Sequence, residues 1–326
     1  MGGPEMAPQT PRAQHPGGAG VPSECRRLLM SVDRAALDCV AGARVTVVIG
    51  ASDAGKTTLV AALASELASR GTPVGVVDSD VGQSEISPPT TVGLGRITGP
   101  VARLSEAALV ALQFVGVSSP ARDIRGVVDA TRRMTARARV EGFAHVLVDT
   151  SGLVAGWPGR LLKQQKIDAV DPDLVLVLER GDECAPIVGR FEGAARPRIV
   201  RLRAPGRLRS RSQTARRQHR AEALDAYLRQ ARPVSLARST AMLPRGLDPP
   251  EGAGALCGLD DALGNTLALG VVQEITDDTV CVLAPLPRAA LVARVRIGRE
   301  RRDGTSLAPG PARRTSTPVG DGRGGA

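Results

Sequence analysis

Residues 44–58 read Arg-Val-Thr-Val-Val-Ile-Gly-Ala-Ser-Asp-Ala-Gly-Lys-Thr-Thr, a β-branched run, a glycine-bracketed turn and then a helical pattern. Gly50 to Thr57 matches G-x-x-x-x-G-K-[ST], which marks a phosphate-binding loop when it follows a strand and opens a helix, as it does here. Such a loop turns successive backbone N–H groups inward around phosphate, and the next helix presents its positive end. The residues expected around a nucleotide are therefore Gly50, Ala51, Ser52, Asp53, Ala54, Gly55, Lys56, Thr57 and Thr58. Lys56 neutralises the β- and γ-phosphates, and the Thr57 hydroxyl ligates Mg²⁺. No lysine follows an asparagine, so the N-K-x-D element of guanine-selective GTPases is missing. ATP is the expected nucleotide.

Outward from this loop, strand and helix patterns alternate. Strands are expected at 44–49, 74–78, 145–149, 174–178 and 199–202, and helices from the loop to about 69, at 122–141 and at 159–169. That alternation predicts an α/β fold of the P-loop NTPase type, a three-layer arrangement around a mainly parallel sheet. From about residue 233 the chain changes to short β-like segments, 266–272 and 280–283 among them, predicting a small β-rich C-terminal unit. The expected division is a tail at 1–22, a P-loop domain at 23–232 with an arginine-rich lid near 205–230, a β-rich domain at 233–305, and a second tail at 306–326. Both tails are rich in Gly, Pro and Ala without apolar periodicity, a disordered composition.

Net charge is +10, carried by 43 Lys and Arg residues of which only Lys56, Lys163 and Lys166 are lysine. The excess favours a polyanionic partner. Five dispersed cysteines without a C-x-x-C pair and three dispersed histidines give no zinc pattern. No apolar stretch is long enough to span a bilayer and no secretory leader is read, so a cytoplasmic protein is expected.

Two expected strands end in acids, Asp78-Ser79-Asp80 and Asp149. The carboxyl ends of parallel strands face the ligand. Acids placed there can hold magnesium or take a proton from a nucleophile, the two tasks of a kinase.

After Asp80 the chain continues Val81-Gly82-Gln83-Ser84-Glu85-Ile86-Ser87-Pro88-Pro89-Thr90-Thr91. This D-x-D-x-G-Q run with its Ser-Pro-Pro stretch, one strand downstream of a G-x-x-D-x-G-K-T-T loop, closely resembles the polynucleotide 5′-hydroxyl kinases. That family includes the kinase of the pre-mRNA cleavage factor, the pre-ribosomal RNA processing kinases and shorter archaeal and bacterial relatives. Asp149-Thr150-Ser151-Gly152 resembles its clasp element, T-x-G-W, with Leu153 in place of the tryptophan that stacks on a substrate base; Trp157 is the alternative for that contact. Leu162-Lys163 resembles an L-K element of the shorter relatives. Arg211 and Arg216 resemble the lid pair that closes over the phosphates, within a run from Gly193 to Ala221 that holds no acid.

The resemblance implies transfer of the γ-phosphate of ATP to the 5′-OH of RNA or DNA, with ATP and Mg²⁺ required. It implies Asp80 as the base, Asp78 assisting at the metal, and Thr57, Asp78 and Asp149 as the metal set. Gln83, Ser87 and Pro88 would position the acceptor, Thr150 and Gly152 would clasp its phosphate, and Arg220 would support Arg211 and Arg216. Two rival readings remain: a noncatalytic ATP-binding assembly subunit, and a kinase or ATPase acting on something other than nucleic acid.

Overall fold

The computed structural model describes residues 34–204, 212–244, 252–286 and 288–305. The expected tails 1–22 and 306–326, and Arg211, lie outside them. Strand β1 (Val45–Gly50) is buried along its whole length. Its alternate side chains feed two cores: Val45, Val47 and Ile49 enter one, and Val48 enters the other. Strands β5 (His145–Thr150) and β6 (Leu174–Glu179) flank β1, both parallel to it. Beyond them lie β2 (Val74–Ser79) and β7 (Arg198–Arg203), again parallel. The parallel core thus runs β7-β6-β1-β5-β2.

Helices cover both faces. On one, α1 (Arg34–Gly42) and the alanine-rich α2 (Lys56–Ala68) pack on Val48, Val76, Leu147 and Leu176. On the other, α3 (Ile124–Val140) and α4 (Gly156–Val170) pack on Val47, Val148 and Val175. Helix α3 is built for that position: Val127, Ala130, Thr131, Met134 and Ala138 form one buried stripe at helical spacing. Asp123 caps it, accepting from the Gly126 N–H at 2.8 Å. A short α5 (Ala185–Val188) follows β6. This is the P-loop NTPase α/β fold.

The sheet continues where periodicity gives no warning. Strands β3 (Thr91–Ile97) and β4 (Ala108–Phe114) extend it from β2 in antiparallel sense. Gly93 and Gly95 weaken the strand signal of β3. Their lack of a side chain is a packing requirement: a Cβ on Gly93 would lie 2.6 Å from Ser87, and one on Gly95 2.9 Å from Ala107.

Helix α6 (Gln213–Tyr227) leads into the C-terminal strands β8 (Arg232–Ala237), β9 (Ala241–Met242), β10 (Ala255–Asp260), β11 (Thr266–Ile275), β12 (Thr279–Ala284) and β13 (Arg294–Arg301). These enclose their own apolar cluster, with Cys257, Leu259, Val280, Val282 and Val295 at its centre. One register pair, Thr266 with Leu112, joins them to the main sheet. Phe114 is wedged into this seam, its N–H donating to the Thr266 hydroxyl at 3.0 Å.

Candidate active site

The phosphate loop turns on Gly55, whose φ of 98° favours glycine, and on Asp53 at φ 55°. Lys56 is almost buried and its Nζ donates to the Ala51 carbonyl at 2.9 Å, across the mouth of the loop. Arg180, just after β6, donates to the Asp53 carbonyl at 2.7 Å and braces the loop from outside. Gly152 braces it from the other side. A Cβ there would fall 2.3 Å from the Ser52 hydroxyl and 2.5 Å from its Cα, so only glycine allows the β5–α4 turn to lie against the loop.

Thr57 and Asp149 meet: the threonine hydroxyl donates to Asp149 Oδ2 at 2.6 Å. Asp149 Oδ1 is buried and has no hydrogen-bond partner among the described residues. Burial pushes this carboxyl up to about 6, against the opposing pull of Lys56 and the Thr57 hydroxyl. An orphaned carboxylate oxygen beside a hydroxyl is a hard-oxygen donor set. Two protein ligands suit a Mg²⁺ ion that keeps several of its waters, so these residues fit the metal.

Asp78 pairs in register with Asp149 on the neighbouring strand, but its carboxylate is committed elsewhere. Oδ1 accepts from Asp80 N–H at 3.1 Å, while Oδ2 accepts from the Ser84 hydroxyl and from Glu85 and Ile86 N–H at 2.9, 2.7 and 3.3 Å. Burial, then the charge of Asp149, raises it to about 7. Asp78 therefore shapes the 80–86 turn, and it does not reach the cavity wall.

That turn presents Asp80 to the cavity, with Oδ1 held by the N–H groups of Gly82 and Gln83 at 3.1 Å each. Gln83 lines the same cavity and reaches the Arg216 carbonyl at 3.5 Å; its Oε1 is buried and has no partner among the described residues. Ser87 and Pro88, expected at the acceptor, lie behind the turn instead. The Ser87 hydroxyl sits 3.2 Å from that of Ser84 and 2.8 Å from that of Thr91, which donates to the Pro88 carbonyl at 2.6 Å. Thr150 likewise points inward: its hydroxyl donates to the Val48 carbonyl at 2.7 Å and accepts from Lys163 at 2.8 Å. Of the expected clasp, Gly152 lines the cavity with Ser151 and Leu153. Trp157 is 64% exposed, outside the core.

Helix α6 begins at the Ser212 cap, which accepts from Ala215 N–H at 3.1 Å. It ends on the Tyr227 hydroxyl, which accepts from Leu269 N–H at 3.1 Å. Between these anchors Arg216 and Arg220, one turn apart, line the cavity. The Arg216 guanidinium lies 3.4 Å from Asp53 Oδ2, so helix α6 and the phosphate loop touch. The cavity holds about 650 Å³ and brings together Lys56, Thr57, Asp80, Gln83, Gly152, Arg216 and Arg220.

Motif reading missed Ser118, Ser119, Pro120 and Arg103 on the cavity wall, because the walls come from loops with no spacing signal. It also missed Lys166. Both Lys163 and Lys166 are fully buried, and Lys166 donates to the Ser79 carbonyl at 3.0 Å and to its hydroxyl at 2.7 Å. Burial lowers Lys163 well below its ordinary value and Lys166 to about 8, where Asp80, Asp149 and Asp78 oppose the fall. A signal was there to read. An arginine-rich chain keeps just three lysines, and all three sit under the carboxyl ends of β1, β2 and β5. A slim ammonium fits where a guanidinium fork cannot.

Over 189 residues the chain is 41% identical to a polyribonucleotide 5′-hydroxyl-kinase of Pyrococcus furiosus, covering 58% of this chain and 51% of that protein. A protein of the same name from Pyrococcus abyssi is 34% identical over 253 residues, 78% of this chain and 64% of that one. The chain thus spans about half to two thirds of the length of these relatives. The structure of a wild-type Clp1p–Pcf11p complex superposes with a TM-score of 0.62 at 13% identity, covering 78% of this chain and 74% of that one. The family model described as the mRNA cleavage and polyadenylation factor CLP1 P-loop matches residues 50–230, and the chain belongs to that family.

Proposed function

We propose that this protein transfers the γ-phosphate of ATP to the 5′-hydroxyl of a polynucleotide, with RNA as the preferred acceptor. The observation that carries the reading is the single cavity in which a phosphate loop, a strand-end carboxylate and two lid arginines face one another. The names of the archaeal relatives support the choice of acceptor.

In this reading the loop N–H groups and Lys56 cradle the phosphates. Thr57 and Asp149 hold Mg²⁺, which neutralises charge on the phosphates when bound. Asp80 takes the proton of the 5′-OH through Oδ2, which accepts no hydrogen bond among the described residues, while Oδ1 stays fixed to the turn. The acceptor oxygen bonds to the γ-phosphorus as the bridging β–γ oxygen leaves with ADP. Arg216 and Arg220 stabilise the charge spread over the moving phosphoryl group. Gln83 and Gly152 bound the acceptor side, whereas Asp78, Ser87, Pro88 and Thr150 hold the surrounding backbone.

Incubation with γ-labelled ATP and 5′-OH RNA or DNA oligonucleotides tests this. Label at the 5′ end of RNA, absent from a 5′-phosphorylated control, is the expected result. ATP binding with no label on any acceptor would favour an ATP-binding assembly subunit.

A further inference from the structure

One acid of the C-terminal strands reaches the cavity wall from behind. Glu300, on β13, is 5% exposed. Its Oε1 accepts from the Arg122 guanidinium at 3.0 Å and lies 3.5 Å from Ser118 N. A buried carboxylate is costly unless paired, so its position is specified by these partners.

Ser118, Ser119 and Pro120 form one wall of the cavity. The Ser118 carbonyl in turn abuts the Asp80 turn: a Cβ on Gly82 would lie 2.5 Å from it. Gly82 N–H is one of the two donors that hold Asp80 Oδ1. A continuous line of contacts therefore runs from Glu300 through the 116–122 wall to the carboxylate that faces the acceptor.

The same strand meets the start of that wall without any cushion. A Cβ on Gly298 would stand 2.9 Å from the Phe114 ring and 3.2 Å from the Gly116 Cα and carbonyl. Backbone packed on backbone transmits position directly. Among the described residues Glu300 makes no hydrogen bond to the phosphate loop.

We propose that Glu300 is a positioning residue for the acceptor site: it fixes the 116–122 wall against the Asp80 turn, so that the C-terminal β unit sets acceptor geometry and leaves nucleotide binding to the phosphate loop. This rests on the kinase reading of the cavity.

The test uses the full chain and compares Glu300→Gln, which removes charge at constant size, with Glu300→Asp, which keeps it. KM is measured separately for a 5′-OH oligonucleotide and for ATP, beside the melting temperature and hydrogen exchange of residues 116–122. Glu300→Gln is expected to raise the acceptor KM about ten-fold, the scale of a small misplacement at a reacting centre. KM for ATP and melting should hold, exchange at 116–122 should quicken, and Glu300→Asp should recover part of the loss. An unchanged acceptor KM, or equal losses for both substrates with a lowered melting temperature, overturns the proposal. If the unaltered protein labels no acceptor, the kinase reading falls. The exchange comparison still decides the positioning role, and unchanged exchange at 116–122 overturns it.

Discussion

Asp80 and Asp149 are both strand-end acids, yet their surroundings assign them different work. Asp80 is half-buried, with one oxygen held by two N–H groups. Asp80→Asn keeps that geometry and removes basicity. Single-turnover labelling of a 5′-OH oligonucleotide should fall by about 10²–10⁴, the usual share of general-base catalysis, while ATP still binds. Asp149 is fully buried, with its pKa raised to about 6 mainly by desolvation. A carboxyl whose folded pKa lies above its unfolded value binds protons more readily in the folded state. Its ionisation therefore weakens the fold progressively as pH rises from about 4 through 6. In the absence of metal, Asp149→Asn should melt higher than the unaltered protein at pH 7.5, by an amount on the order of 1–3 kcal/mol. The difference should shrink at pH 5, and phosphate transfer should be lost at both. A variant less stable than the parent at pH 7.5 would show that the Thr57 and Lys56 contacts outweigh burial.

The same sorting applies to elements, where packing decides which arginines are available. On β7 the Arg201 guanidinium pairs with Glu179 and with Glu192, the latter at 2.9 Å. The basic run beside the lid is therefore partly internally neutralised. Arg201→Ala should leave the salt dependence of RNA binding unchanged, where a true single-strand phosphate contact would remove about 0.7 units of log–log slope. On the lid helix, Arg216→Ala should lower turnover ten-fold or more with little change in RNA affinity, since fingers of this kind are worth up to ~10³–10⁵. Arg211, expected as its partner, lies outside the described residues. The β5–α4 turn makes its own prediction. Gly152→Ala forces a methyl group into the Ser52 backbone, so ATP affinity measured by calorimetry should drop about ten-fold or more even though Gly152 carries no reactive group.

At the scale of the whole molecule, the seam between the parallel core and the C-terminal strands centres on one aromatic ring, flanked by polar contacts such as Arg122–Glu300. Phe114 is 3% exposed and packs with Leu256, Leu269 and Leu228. The faces of Gly258 and Gly298 close on it, and Arg296 stacks 5.6 Å from its centroid. Phe114→Ala should cost about 3–5 kcal/mol, read as a lower denaturant midpoint or as two separated transitions.

What could be read in the chain itself is what depends on neighbours in sequence. The loop at 50–57 is legible because its glycines, lysine and threonine are contiguous, and the buried strands at 45–50, 145–150 and 174–179 announce themselves by runs rich in valine and leucine. From those follow the fold and the phosphate loop, while Asp80 is picked out by the D-x-D-x-G-Q run after the strand at 74–79. The rest required the tertiary structure. Glycines that look like breaks in β3 are the condition for packing Ser87 against it. Asp78, Ser87 and Thr150, plausible ligands by motif, are turned inward by hydrogen bonds that no spacing records. The wall at Ser118 and the acid at Glu300 are 182 residues apart in the chain. Only the crossover from the parallel core to the C-terminal strands brings them together, because a contact of that range depends on how the whole sheet closes and not on any local preference of the residues that make it.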